Sequence, residues 1–216
     1  MDQERVVLEW QKSDPIDPSK QTKEFRERAE RILTMKIEEM PGYAFDCVCG
    51  RHHQIDMKHL LSGSGALERL PEIINTFPEQ KKQTILLLCD CNTWEAAGRK
   101  TDEILRTAGF RTKVVELSTK NYPVLIPDEA ALGTVLVNLT DDIGFLVGVG
   151  SGTISDITKL VSYKTGRDSI VVGTAPSMDG YASLNAAFVI DGHKITYPAH
   201  YHSCIVADTK IMKDAP

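Results

Sequence analysis

Hydrophobic positions along the chain change their period twice, and each change predicts a change of structural element. In the first forty residues Phe25, Ala29, Ile32, Leu33, Ile37 and Met40 recur at helical spacing among charged neighbours, which predicts an amphipathic helix with one apolar face. Pro15 and Pro18 bar a helix from the residues just before it. From residue 84 onward, short apolar runs alternate with helical patterns. Thr84–Cys89 is such a run, ending in Asp90, as in a strand buried on both faces of a parallel sheet. Thr93–Ala108 follows with helical spacing, and Gly109 stands where a helix closes on a left-handed residue. Thr112–Leu117 reads as a second strand, Asp128–Leu139 as a second helix and Phe145–Val149 as a third strand. Ser151–Tyr163, with Gly166 after it, is a third helix, and Ser169–Val172 a fourth strand. Strict alternation with short connections predicts an α/β fold, a parallel-sheet Rossmann-like domain. Near the end the pattern changes again. Ala187–Ile190 and Lys194–Tyr197 flank Asp191-Gly192, which predicts a terminal β-hairpin, and Cys204–Ala207 adds one more strand.

Composition narrows the class. The 216 residues carry 30 acidic and 25 basic side chains, a net charge of −5, and are 42% hydrophobic and 25% charged. These values suit a globular protein and exclude a mostly disordered chain, a collagen-like repeat or a basic nucleic-acid coat. An anion is then bound through a local site, not through net charge. No run of eighteen apolar residues occurs, and Met1 to Trp10 lacks a signal-peptide core, so neither a membrane nor a nucleic-acid partner is expected. Five cysteines at Cys47, Cys49, Cys89, Cys91 and Cys204 do not suggest a disulfide framework, and a reducing, cytoplasmic setting is expected. The first forty residues hold 10 acids and 8 bases and are expected to form a charged helical segment (1–40) that docks on something else. Residues 41–216 are expected to form one α/β domain.

The residues that carry chemistry cluster after predicted strands. Gly148-Val-Gly150-Ser151-Gly152-Thr153-Ile154-Ser-Asp156 follows an apolar strand and opens a helix. Glycines there let the backbone approach a ligand, while unpaired N–H groups at the helix start face an anion. The plainer account is a tight strand-to-helix turn without a ligand, with Asp156 capping the first turn. The spacing also differs from G-x-G-x-x-G, because the third glycine comes early. A second cluster, Thr174-Ala175-Pro176-Ser177-Met-Asp179-Gly-Tyr-Ala-Ser183, falls at the carboxyl edge of the sheet, where open α/β sheets bind ligands. It offers hydroxyls and one carboxylate able to hold a substrate hydroxyl; the plainer account is a loop capping the next helix. Asp90, at the end of the first clear strand, suits either an adenosine ribose or a helix cap. Cys47-Val-Cys49-Gly-Arg-His52-His53 invites a metal reading, but lacks the spacing and the second ligand pair of a zinc site. Cys89 and Cys91 straddle a strand end and point different ways. His200 and His202 are expected on a surface loop, and Cys204 in the core.

Several of these segments, taken in order, resemble the sn-glycerol-1-phosphate dehydrogenases, within the iron-containing alcohol dehydrogenase and dehydroquinate synthase superfamily. The likeness is carried by Gly148 to Lys159, Val161-Ser-Tyr-Lys-Thr-Gly166, Thr174 to Ser183, Asp90-Cys-Asn-Thr-Trp-Glu-Ala-Ala-Gly98, and Ile205 to Pro216, and spans about residues 80–216. The resemblance implies a two-domain enzyme that transfers hydride between NAD or NADP and dihydroxyacetone phosphate, giving glycerol 1-phosphate, and that forms homo-oligomers. Carried over motif by motif, it implies that Gly150, Ser151, Gly152, Thr153 and Ile154 cradle the dinucleotide pyrophosphate. Thr174, Ala175, Pro176 and Ser177, with Ser183, would line the nicotinamide side. Asp90 would touch the adenosine ribose and Asp179 would hold the substrate.

The resemblance also implies a divalent metal, zinc or nickel, held by one Asp and two His of a helical second domain. Those ligands are expected beyond Pro216, and His200 and His202 do not replace them. The chain thus reads as the cofactor-binding half of such an enzyme. Two rivals stay open at this point: a 3-dehydroquinate synthase-like enzyme, and a non-catalytic nucleotide-binding module.

Overall fold

The computed structural model describes residues 23–47, 50–77, 84–118 and 122–216. Its first helix, α1 (Lys23–Thr34), forms where the helical spacing of apolar residues among charged neighbours predicts one. It ends earlier than the apolar pattern, because Thr34 Oγ1 turns back to the carbonyls of Glu30 and Arg31 and Lys36 is extended. Leu33 and Ile37 are exposed, so the apolar face the pattern marks is not covered by described residues there. Instead Arg28 and Arg31 lie over the rings of Phe45 and Tyr43 in a short antiparallel hairpin, β1 (Ala44–Asp46) and β2 (His52–Gln54).

The main sheet follows. β3 (His59–Gly63) leads into the short helix α2 (Leu70–Ile74). β4 (Thr84–Cys89) is followed by α3 (Cys91–Thr93), a π-helical turn at Trp94–Gly98 and α4 (Arg99–Thr107). The wide turn is tied to Gly98, where a Cβ would fall 2.8 Å from the Trp94 ring. Then come β5 (Arg111–Glu116), α5 (Glu129–Asn138), β6 (Ile143–Gly150), α6 (Gly152–Thr165) and β7 (Asp168–Gly173). β8 (Asn185–Ile190) and β9 (His193–Pro198) form a two-stranded hairpin whose turn, Asp191-Gly192, has positive φ at both residues. β10 (Cys204–Asp208) returns to the sheet and α7 (Thr209–Met212) follows it.

All neighbours in the six-stranded sheet β3-β10-β7-β6-β4-β5 run parallel. From β4 the chain steps outward to β5, then crosses back to β6 on the other side. The switch of direction therefore lies between the carboxyl ends of β4 and β6, the crevice where sheets of this kind take ligands. The core is double-sided, as continuous apolar strands require. Ile85, Leu87, Phe145 and Val147 face α2 and the helical stretch after β4; Leu86, Leu88 and Leu146 face α5, α6 and Phe188 of the hairpin.

The segment between β9 and β10 departs from the sequence expectation. His202 is not on a surface loop: it is fully buried between α6 and β7. Ser155 Oγ lies 3.1 Å from Nε2 and Ser169 Oγ 2.9 Å from Nδ1, so a neutral ring satisfies both by donating to one and accepting from the other. His200 is half-buried, with Ser162 Oγ 2.8 Å from its Nε2 and Tyr163 packed edge-on against its ring. The two histidines fasten the return segment to α6.

Burial, reinforced by Lys159 and by His200, holds His202 well below the ordinary imidazole value, and burial lowers His200 as well. The unfolded chain takes up protons as the pH drops below about 6.5, while the folded rings resist them. Stability contributed this way is complete above that pH and is lost below it, by up to about 1.4 kcal/mol per pH unit from His202 while it stays neutral, and by less from the partly exposed His200. Urea unfolding at pH 7.5 and 5.5 is expected to show this loss, and the His202→Gln variant a smaller one. An unchanged pH slope in that variant would contradict the buried-neutral role.

Candidate functional site

Three adjacent strands, β4, β6 and β7, end together, with Gly148 in register with Leu88 and Gly150 in register with Gly173. Asp90, the 150–154 turn and the 174–177 loop emerge from those ends, so these parts of the sequence-derived site share one edge of the sheet.

The glycine turn has two distinct constraints. A Cβ at Gly150 would fall 2.6 Å from Ile154 Cβ, and one at Gly148 would meet the Thr158 side chain. Both positions are glycine because α6 lies close against β6. At Gly152 a Cβ would instead fall 2.5 Å from Met178 Sδ, the far end of a flexible side chain from the second loop. Asp90, Asp128 and Asp208 cap α3, α5 and α7 with their carboxylates, but Ser151 makes no side-chain cap at α6. The opening amides of this fourteen-residue helix therefore lack the carboxylate partner that the starts of α3, α5 and α7 have. The backbone bond from Ser155 N–H to Ser151 O closes only the first full turn.

The 174–183 segment is fastened over that turn. The Thr174 N–H donates to Gly150 O at 3.2 Å. The buried Tyr181 hydroxyl bridges Ala175 O at 3.0 Å and Gly150 O at 3.3 Å. Burial pushes the Tyr181 phenol above its usual value, so it stays a hydrogen-bond donor. Thr174 is buried, whereas Pro176, Ser177 and Asp179 are exposed on the rim. Ser183 sits apart from the helix start. Its hydroxyl donates to Asn185 O at 2.9 Å and accepts from Lys159 Nζ at 3.0 Å. Lys159 is seven residues into α6 from Gly152, about 10 Å along the axis.

Asp90 is an N-cap in a reciprocal box: its Oδ1 accepts from Thr93 N–H at 2.8 Å, and its own N–H donates to Thr93 Oγ1 at 2.9 Å. It also lines a cleft of about 150 Å³ with Asn92, Glu116, Leu117, Tyr122 and Leu125. Capping and lining are compatible, since the cap uses one carboxylate oxygen. Asp156 does not cap α6. It accepts from Ala187 N–H on β8 at 3.1 Å, and burial raises it above the ordinary carboxylate value.

The other candidates go elsewhere. Of the Cys47–His53 segment, His52 and His53 lie on β2, with His52 Nδ1 2.8 Å from Asp46 Oδ1 and His53 stacked on Phe45; Cys49 lies outside the described residues. Cys89 and Cys204 are buried and Cys91 is exposed. Burial pushes both the Cys89 and the Cys204 thiols up to about 12, which leaves them inert at neutral pH. Among the described residues no group of three or more His, Cys, Asp or Glu side chains could hold a metal ion. The divalent metal implied by the resemblance thus finds no ligand set in them. Sequence reasoning passed over Met178, Tyr181 and Lys159. Only Lys159 carried a signal, a lysine enclosed by Ile157, Leu160 and Val161 on a helix.

Comparison with known proteins bears on the whole edge. The family described as iron-containing alcohol dehydrogenase matches residues 61–216. A glycerol-1-phosphate dehydrogenase [NAD(P)+] of Halalkalibacterium halodurans is 33% identical over 181 residues, covering 83% of this chain and 45% of that protein. The protein of the same name from Methanosarcina barkeri is 30% identical over 161 residues, covering 74% of this chain and 42% of its own length. The chain thus spans less than half the length of these relatives. Among solved structures, glycerol dehydrogenase from Schizosaccharomyces pombe superimposes with a TM-score of 0.59 at 21% identity, over 74% of this chain and 39% of that one. An iron-containing alcohol dehydrogenase from Thermococcus thioreducens gives 0.60 at 15% identity, over 74% and 48%. The structural likenesses establish a shared fold, and the match over residues 61–216 goes further: this chain belongs to the iron-containing alcohol dehydrogenase family.

Proposed function

We propose that this chain binds NAD or NADP across the carboxyl edge of β4, β6 and β7, as the cofactor-binding portion of a glycerol-1-phosphate dehydrogenase. The observation that carries the reading is the uncapped start of α6, reached by a glycine turn at the switch point of the sheet and flanked by Asp90. An anion there gains from aligned N–H groups and from the helix dipole, the latter by roughly 0.3–2 kcal/mol. The pyrophosphate is assigned to the amides of Gly150 to Ile154, the adenosine ribose to Asp90 and the cleft beside it, and the nicotinamide to the wall formed by Thr174 to Ser177. Asp179, exposed on the rim, is the group assigned to a substrate hydroxyl. The names of the relatives support a dehydrogenase over a dehydroquinate synthase-like enzyme, and support dihydroxyacetone phosphate and glycerol 1-phosphate as the substrate pair.

In that reaction a hydride passes from the reduced nicotinamide to the ketone carbon and a proton reaches the carbonyl oxygen. This chain's part is to bind and orient the cofactor. No step is assigned to the family's metal, because the described residues supply no set of ligands for it. The domain reading follows the same lines: residues 41–216 act as the dinucleotide-binding unit and residues 1–40 as a separate charged segment.

Asp90→Asn separates two roles that truncation to Ala would mix, because Asn caps a helix about as well as Asp. The variant is expected to melt within a few degrees of the parent, yet to bind NADH about tenfold more weakly, a loss of about 1.4 kcal/mol. NADPH binding should suffer less, since a 2′-phosphate no longer meets a carboxylate. Calorimetric titration of both cofactors decides; equal losses would leave Asp90 as a cap alone.

The glycines should also separate. Gly150→Ala forces α6 away from β6 and is expected to lower stability by about 1–3 kcal/mol. Gly152→Val displaces only Met178, so the fold should persist while NADH affinity falls about tenfold or more, because Met178 and the new side chain crowd the helix start. Unchanged NADH affinity in folded Gly152→Val would remove this turn from the site.

A further inference from the structure

Lys159 is the most deeply buried charged side chain described, with no exposed surface, in the middle of α6. Burying an ammonium in this way persists only where oxygen acceptors replace its water. Its Nζ donates to Gly180 O at 2.7 Å, Ser183 Oγ at 3.0 Å and Asn185 O at 3.2 Å, with Asp156 Oδ1 at 3.8 Å. Three of these four partners belong to one stretch of chain, the end of the 174–183 segment and the start of β8. The fourth sits one turn earlier on the same helix and is itself tied to β8 through the Ala187 N–H.

The consequence is mechanical. The 174–183 segment is anchored at its start by the Thr174 N–H, bonded to Gly150 O, and near its end by the Tyr181 hydroxyl, which reaches back to Gly150 O, and by Lys159, which takes Gly180 O and Ser183 Oγ. Between these anchors lies Met178, which covers Gly152, with exposed Ser177 and Asp179 beside it. The same helix therefore carries at its first turn the amides assigned to the pyrophosphate, and in its middle the ammonium that fixes the loop assigned to the nicotinamide.

We infer that Lys159 is a positioning residue, which sets the nicotinamide-side loop at a fixed height above the start of α6 through its bonds to Gly180, Ser183 and Asn185. The inference rests on the dinucleotide reading given above. Lys159 touches neither cofactor nor substrate. Its effect is confined to the part of the site the loop forms, and this separates it from a general structural role. A ligand that ends at the ribose beyond the pyrophosphate, such as ADP-ribose, needs the helix start and the Asp90 cleft but not the loop.

The test uses Lys159→Met, which keeps the length and fills the buried space without charge. NADH binding, followed by its fluorescence, is expected to weaken about tenfold, the scale of reordering a few freed loop residues on binding, while ADP-ribose affinity by calorimetry stays within about twofold. Ser183→Ala, which removes one acceptor, should move NADH affinity in the same direction by less. Amide hydrogen exchange should speed up at residues 180–185 in Lys159→Met and stay unchanged in the first turns of α6. Equal losses for NADH and ADP-ribose, or unchanged NADH affinity with unchanged exchange, would overturn the inference. Should Lys159→Met fail to fold, Ser183→Ala decides through the same two ligands. If the parent chain binds neither ligand, the dinucleotide reading falls, and the exchange comparison still tests the anchoring itself: unchanged protection at residues 180–185 overturns it.

Discussion

The arrangement at the carboxyl edge depends on how near α6 lies to β6. Gly148 and Gly150 leave no side chain between strand and helix, so Thr158 and Ile154 pack directly onto the β6 backbone. That approach brings the first amides of α6 to the level of the strand ends, next to the switch of direction between β4 and β6. It also presents Gly150 O to Thr174 N–H and the Tyr181 hydroxyl, which brings the following loop to the same place. One side chain added at either glycine would separate these parts together.

Nearly every side of α6 is buried, because sheet, hairpin and α5 enclose it. A helix in that position is expected to be apolar all round. This one keeps Ser155, Thr158, Lys159 and Ser162 inside, and each has a partner: His202, Ile154 O, the 180–185 segment and His200 with Arg167 O. The polar groups do what apolar packing alone would not. Thr158 bonds within the helix, but the other three fix which segment sits against which turn: the end of the 174–183 loop at Lys159, and the return segment before β10 at Ser155 and Ser162.

The strands β4, β6 and β7 were readable because strands buried on both faces show continuous apolar runs, and the hairpin was readable from Asp191-Gly192. β3 was not, because His59-Leu-Leu-Ser-Gly63 is an edge strand of only five residues with polar ends, recruited by pairing with β10 far along the chain. α2 was too short to show a period. At the site, the glycine turn announced itself, but the reason for Gly150 did not: spacing alone cannot tell backbone approach to a ligand from approach of a helix to a strand. His202 was misplaced for a similar reason. Its partners Ser155 and Ser169 lie 47 and 33 residues away, and nothing near His202 in sequence hints at them. Asp156 looked like a cap because local bonding is the default for an acid in a first turn, yet the β8 backbone claims it. Long-range polar pairing, more than element type, was what the sequence concealed.

The central claim is that the dinucleotide's phosphates meet the uncapped amides at the start of α6. The most direct measurement is an amide-resolved NMR titration of the 216-residue chain with ADP-ribose, which carries the pyrophosphate without the nicotinamide. The account predicts that the largest saturable shifts fall on the amides of residues 150–154, with a second group at Asp90 and its neighbours in the cleft. Saturable shifts centred elsewhere, for example in the apolar groove lined by Leu136, Leu160 and Tyr197, with residues 150–154 unmoved, would contradict it.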